Sequence, residues 1–67
     1  MAELKVGDLT TCVVTEVTGS VAKVRAQGMS GVIRGPSGTR AKVGDHLKIR
    51  IVEFDGGGSR FIAARLD

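Results

Sequence analysis

Period-two alternation constrains this chain more than any other feature. In the run His46-Leu47-Lys48-Ile49-Arg50-Ile51 apolar and polar residues strictly alternate. In Val21-Ala22-Lys23-Val24-Arg25-Ala26 two cations alternate with small apolar residues. Successive side chains on a strand point to opposite faces, so each run puts its apolar set on one side and its charges on the other. Thirteen residues are Val or Ile, against four Leu and six Ala. Branched side chains are stiff and fit a pleated surface, so the bias favours strands over helices. Ten glycines among 67 residues imply many tight turns.

The chain also echoes itself. Lys5-Val6-Gly7-Asp8 recurs as Lys42-Val43-Gly44-Asp45, and a strand-like run follows each copy. Aligned on this motif, Thr10, Cys12, Val14 and Val17 match Leu47, Ile49, Ile51 and Phe54, and Glu16 matches Glu53. Each run keeps its alternation up to a one-residue slip before Val17 and before Phe54, which is the signature of a β-bulge. Two long, bulged, twisted strands suit a small closed barrel.

Five strands are expected: Leu9 to Thr18, Val21 to Ala26, Gly31 to Arg34, His46 to Phe54 and Arg60 to Leu66. Gly19-Ser20, Gln27-Gly28-Met29-Ser30, Gly35-Pro36-Ser37-Gly38-Thr39 and Asp55-Gly56-Gly57-Gly58-Ser59 read as turns and loops. No segment reads as a stable helix. The pattern is that of an all-β, five-stranded antiparallel barrel filling one domain, residues 1–67.

A chain of this length buries only about 60% of the surface that its unfolded form exposes. Two-domain enzymes, helical solenoids and doubly wound nucleotide folds are excluded by size. Cys12 is the only cysteine, so neither an intramolecular disulfide nor a cysteine zinc cluster can form. No apolar run approaches the roughly 20 residues that span a bilayer, and the expected setting is cytoplasmic.

Catalytic and metal chemistry find little support. His46 follows Asp45, but no nucleophile of suitable context is near, and it reads as an exposed residue at the start of a strand. Cys12 sits in an apolar alternation and reads as a small hydrophobe. The acidic residues are scattered without calcium-loop spacing, and the loop at 35–39 lacks a phosphate-cradling pattern. The expectation is a protein with no enzymatic activity, no cofactor and no metal.

Charge points to a polyanion. The net charge is +3, and residues 23–50 hold seven cations against the single anion Asp45. Lys23 and Arg25 share one face of strand two, Lys48 and Arg50 one face of strand four, and Arg34 ends strand three. On a closed barrel these are expected to line one cationic groove that tracks a phosphate backbone, joined by Arg60 and Arg65, which flank strand five. Binders of single strands also stack bases on aromatic rings, for about 1–3 kcal/mol per base. The chain has no Trp or Tyr and two Phe. Phe54 falls in the core phase. If Ile62, Ala64 and Leu66 point inward, then Phe61, Ala63 and Arg65 point outward, and Phe61 is the single stacking platform.

Several short motifs are shared with one known family. They are the opening Val6-Gly7-Asp8 with Val14-Thr15-Glu16-Val17, the turn Gly28-Met29-Ser30-Gly31 leading to Val32-Ile33-Arg34, and the second Val43-Gly44-Asp45 leading to Phe54-Asp55. The chain resembles the S-one domain, the RNA-binding repeat of bacterial ribosomal protein S-one and of several RNA-processing enzymes, and looks most like a later repeat of the ribosomal protein. The resemblance implies an OB-fold that binds single-stranded RNA in a translation or RNA-processing setting. It departs from the family where RNA is contacted. Two aromatic positions of strand two are Ser20 and Lys23 here, and a histidine common at the end of strand three is Arg34. The helical connection usual before strand four is trimmed to residues 35–41. The resemblance therefore implies weak, mainly electrostatic RNA binding through Lys23, Arg25, Arg34, Lys48, Arg50 and Arg65, with Phe61 against a base.

The competing expectation is a structural or protein-docking barrel with little RNA binding, on a ribosome or another protein, which the missing aromatics favour. The TRAM-type accessory barrel ranks lower, because the early Gly-x-Gly of that family is absent. The chain is expected to be a monomer away from membranes, although the internal echo also suits a symmetric dimer.

Overall fold

The computed structural model describes residues 4–34 and 40–66. The strands are β1 (Leu9–Thr18), β2 (Val21–Ala26), β3 (Met29–Arg34), β4 (His46–Asp55) and β5 (Arg60–Arg65). Within the described residues the only helical piece is a single 3-10 turn, Gly56–Gly58, joining β4 to β5. Asp55 accepts a hydrogen bond from the Gly56 amide at 2.8 Å, which starts that turn. The expected loop at Gly35-Pro36-Ser37-Gly38-Thr39 lies outside the described residues.

The strands close in the order β1-β2-β3-β5-β4, which is the expected OB-like barrel. One feature differs from expectation. β3 and β5 run parallel, with Ser30, Gly31, Val32 and Ile33 opposite Arg60, Phe61, Ile62 and Ala63, so the barrel is mixed rather than purely antiparallel. The cause is topological: β4 intervenes in sequence but joins on the far side, and closure leaves β3 and β5 pointing the same way.

Both expected slips are real bulges. The β1–β2 register shifts between Val14 and Glu16, and the β4–β5 register between Ile51 and Glu53. An extra residue in one strand bends it and adds twist, so β1 and β4 can each pair with two neighbours. β1 pairs with β4 over Leu9 to Val13 and with β2 over Val13 to Thr18.

The repeated motif builds the same turn twice. The Lys5 amide donates to the Asp8 carboxylate at 2.9 Å, and the Lys42 amide to that of Asp45 at 2.9 Å. Gly7 and Gly44 adopt φ of 94° and 95°, a region open to glycine at little cost. Each turn then docks on the other hairpin. The Gly7 amide donates to the Ile51 carbonyl at 2.7 Å, and the Gly44 amide to that of Val14 at 2.8 Å. The β1–β2 and β4–β5 hairpins are thus related by an approximate local two-fold, with β3 inserted between β2 and β5.

Inside lie Cys12, Val14, Ala22, Val24, Ile33, Leu47, Ile49, Ile51, Phe61 and Ala63, the apolar phases of all five strands. No buried polar or charged side chain occurs among the described residues. At a typical 25 cal/mol per Å² of apolar area removed from water, this small core is the main stabilising term. No described helix is long and apolar enough to cross a membrane.

Candidate nucleic-acid interface

The outer surface of β2, β3 and β5 is organised in rows by the strand registers. In one row Arg25 lies opposite Ser30, and Ser30 opposite Arg60. In the next, Lys23 lies opposite Val32, and Val32 opposite Ile62. Arg34 lies opposite Val21 at the far end. Opposed residues on neighbouring strands sit about 4.5–5.5 Å apart at Cβ, so each row is a contact set. A cleft of about 390 Å³ opens here, with Lys23, Arg25 and Arg60 around it and Thr15, Ser30 and Val32 between them.

The floor of the cleft explains its depth. Gly31 is buried, and a Cβ at that position would overlap the Phe61 ring beneath it. Only a glycine lets the β3 backbone lie on that ring. Phe61 is fully buried, which corrects the expectation of an exposed stacking platform. The reason is register: Phe61 pairs with Phe54 and Ala63 with Ile51, and Ile51 points into the core. The outward phase of β5 is instead carried by exposed Arg60 and Ala64.

The cations do not gather into one trough. Lys23, Arg25 and Arg34 share the β2–β3 surface as expected, and all three are exposed. Lys48 and Arg50 are exposed on β4, which pairs with β1 and β5, so β1 separates them from β2 on one route round the barrel, and β5 and β3 on the other. Arg65 pairs with Ile49, in the inward phase of β5, and is half-buried away from the β2–β3 cleft. Arg60, one of the cations expected in the groove, reaches the cleft through the parallel β3–β5 pairing. Sequence alone gave no sign of the pairing that brings it there.

Acidic neighbours temper the site. Glu16 lies opposite Lys23 across the β1 bulge, with its carboxylate 3.6 Å from the ammonium. Asp55 holds Arg60 at 3.2 Å. Both pairs are more than half exposed, and such pairs are worth under about 1 kcal/mol, so a phosphate can compete for either cation. Arg25 and Arg34 make no ion pair with any described residue.

The two candidate catalytic side chains are not brought together. Cys12 is inside the barrel and His46 outside it. Burial pushes the Cys12 thiol up from its ordinary value, against smaller opposing effects of backbone hydrogen bonding and the Arg65 charge. Among the described residues no cluster of His, Cys, Asp or Glu could hold a metal ion.

This barrel has a solved counterpart. The chain is similar to the solution structure of GSP13 from Bacillus subtilis. The TM-score is 0.77 at 18% sequence identity, over 92% of this chain and 55% of the other. The chain thus spans about half the length of that protein. At this identity the likeness is one of fold, and it supports the five-stranded OB-like barrel. No family model matches the chain, and no curated protein matches it in sequence.

Proposed function

We propose that this barrel is a non-catalytic binder of single-stranded RNA, working through the β2–β3–β5 surface. Lys23, Arg25 and Arg34 contact phosphates, with Arg60 at the edge. Val32, half-buried between the cations, gives a base a flat, weakly apolar seat. The observation that carries this reading is the row Arg25, Ser30, Arg60, which sets two guanidinium groups on either side of a hydroxyl above an open cleft. Arginine presents a planar fork of donors that matches a phosphate. The barrel fold, shared with the Bacillus subtilis protein, adds to the argument, because OB barrels bind oligonucleotides on the face of strands two and three.

With no exposed aromatic ring among the described residues, affinity rests on charge. Binding is therefore weak and falls steeply with salt. A translation or RNA-processing setting, as in repeats of ribosomal protein S-one, fits this chemistry. Fluorescence anisotropy of a short labelled single-stranded RNA, titrated over a range of salt, tests the reading. Binding at low salt that Arg25→Glu abolishes supports it. Absence of binding at low salt, or full binding by Arg25→Glu, overturns it.

A further inference from the structure

The local two-fold supplies an internal comparison. Equivalent positions of the two hairpins share a backbone, so the backbone does not dictate a difference in chemistry between them. At the start of β4 that position is exposed His46, and at the start of β1 it is Leu9, which is 62% exposed. The bulge residue of β1 is Thr15, and that of β4 is Val52, 49% exposed. On the outward phase of β2 stands Arg25, and at the matching place on β5 stands Ala64. One hairpin is polar where the other is aliphatic, and the fold accepts either.

These aliphatic residues are gathered in one place. Leu9 lies opposite Arg50 in the β1–β4 ladder. The Leu66 amide donates to the Lys48 carbonyl at 3.0 Å, which sets Leu66 beside Lys48. The 5–8 turn is hydrogen-bonded to Ile51, so Val6 and Val52 flank the same backbone junction. Four of the five large hydrophobics exposed among the described residues, Val6, Leu9, Val52 and Leu66, thereby surround Lys48 and Arg50. Neither cation is ion-paired with a described residue. A contiguous apolar patch with arginine at its centre is a feature of protein interfaces.

The geometry points to a second interaction surface, on β1 and β4, that takes an acidic, aliphatic segment of another protein. Unpaired Lys48 and Arg50 select carboxylates by charge complementarity, and the surrounding side chains select aliphatic ones. A nucleic acid would satisfy the cations and leave Leu9, Val52 and Leu66 with nothing to pack against, since no aromatic ring is present for a base. The surface is centred away from the proposed RNA cleft, because β1 separates β4 from β2 and β5 separates it from β3.

The test is selection of a displayed random peptide library on the whole chain, with the double variant Leu9→His and Val52→Thr as counter-target. Those substitutions install the residues used at the equivalent places, so the barrel keeps its fold, as a thermal melt verifies. The expected result is enrichment of peptides rich in Asp or Glu and in Leu, Ile or Val. Their binding should be lost on the double variant and weakened about tenfold or more by Arg50→Glu. Amide shifts in NMR should fall on Leu9, Lys48, Arg50, Val52 and Leu66. Enriched peptides without acidic character, or peptides held equally by the double variant, overturn the proposal. So does movement of the same amides by single-stranded RNA, by phosphatidylserine vesicles or by self-association in place of peptide. Loss of RNA binding in Arg25→Glu with peptide binding intact separates this surface from the other.

Discussion

Thr11 of β1 lies opposite Lys48 of β4, and this pair sits on the local two-fold that relates the hairpins. On one side Leu9 faces Arg50 and Thr10 faces Ile49; on the other, His46 faces Val13 and Leu47 faces Cys12. Each pair is the image of another, and Thr11–Lys48 is its own. The motif turns obey the same relation through their bonds to Ile51 and Val14. Equal roles predict equal costs. Nothing lies within 4 Å of a Cβ built at Gly7 or Gly44, so an alanine there meets only the penalty of positive φ. Gly7→Ala and Gly44→Ala should each destabilise by roughly 1–2 kcal/mol, and by similar amounts. Urea denaturation checks this, and a large inequality would show that the turns are not equivalent.

Much of the barrel was readable because it rests on local pattern. The limits of β1 and β2, the two bulges and the inward phases of Leu47, Ile49 and Ile51 follow from alternation and from the motif echo. The phase of β5 was not readable. Phe61, Ile62 and Ala63 are apolar in succession and all buried, so period two carries no signal there. Only the register with β4 fixes it. The parallel β3–β5 contact was equally hidden, because it joins residues that share no turn. That contact brings Arg60 to the cleft and carries Phe61 under Gly31. The split of the cations has the same origin. Alternation says which residues face outward, and strand order says in which direction.

Phe61 fills the centre of the core, and Gly31 makes room for its ring. Phe61→Ala should cost about 3–5 kcal/mol, enough to unfold much of so small a domain. Gly31→Ala should also destabilise strongly, because the added methyl has no space. Phe61→Leu keeps most of the volume. It should fold and bind RNA like the parent, since the ring is inaccessible to bases. A selective loss of RNA affinity in folded Phe61→Leu would contradict the buried placement. Thermal melts with anisotropy on the same samples separate the two effects.

Cys12 links the core to pH. Its folded thiol titrates above the unfolded one because burial disfavours the thiolate. The unfolded chain therefore loses its proton first as pH rises, and stability falls once pH passes the ordinary thiol range of about 8.5. Below that range the contribution is fully present. Cys12→Ala should flatten this alkaline decline while costing some stability at neutral pH through the lost volume. In the native parent the thiol should react with a thiol reagent only as fast as the barrel opens. Rapid labelling under native conditions would place the sulfur at the surface.

The Glu16–Lys23 pair offers a test of the proposed RNA face. Glu16 adds little stability, being exposed with its partner, yet it holds a negative charge 3.6 Å from a cation of the proposed RNA face. Replacing it by a neutral isostere removes repulsion without removing a donor. Glu16→Gln should leave the melting temperature nearly unchanged and raise affinity for a short single-stranded RNA about two- to fivefold at low salt. The gain should shrink as salt screens both charges. Lys23→Ala should lower affinity and reduce the slope of log affinity against log salt by about 0.7, the value of one released counterion on a single strand. Lys48→Ala, on the far side of the barrel, should change that slope much less. If Lys48→Ala and Lys23→Ala reduced it equally, RNA would be wrapping the barrel, and the cleft of β2, β3 and β5 would not be its seat.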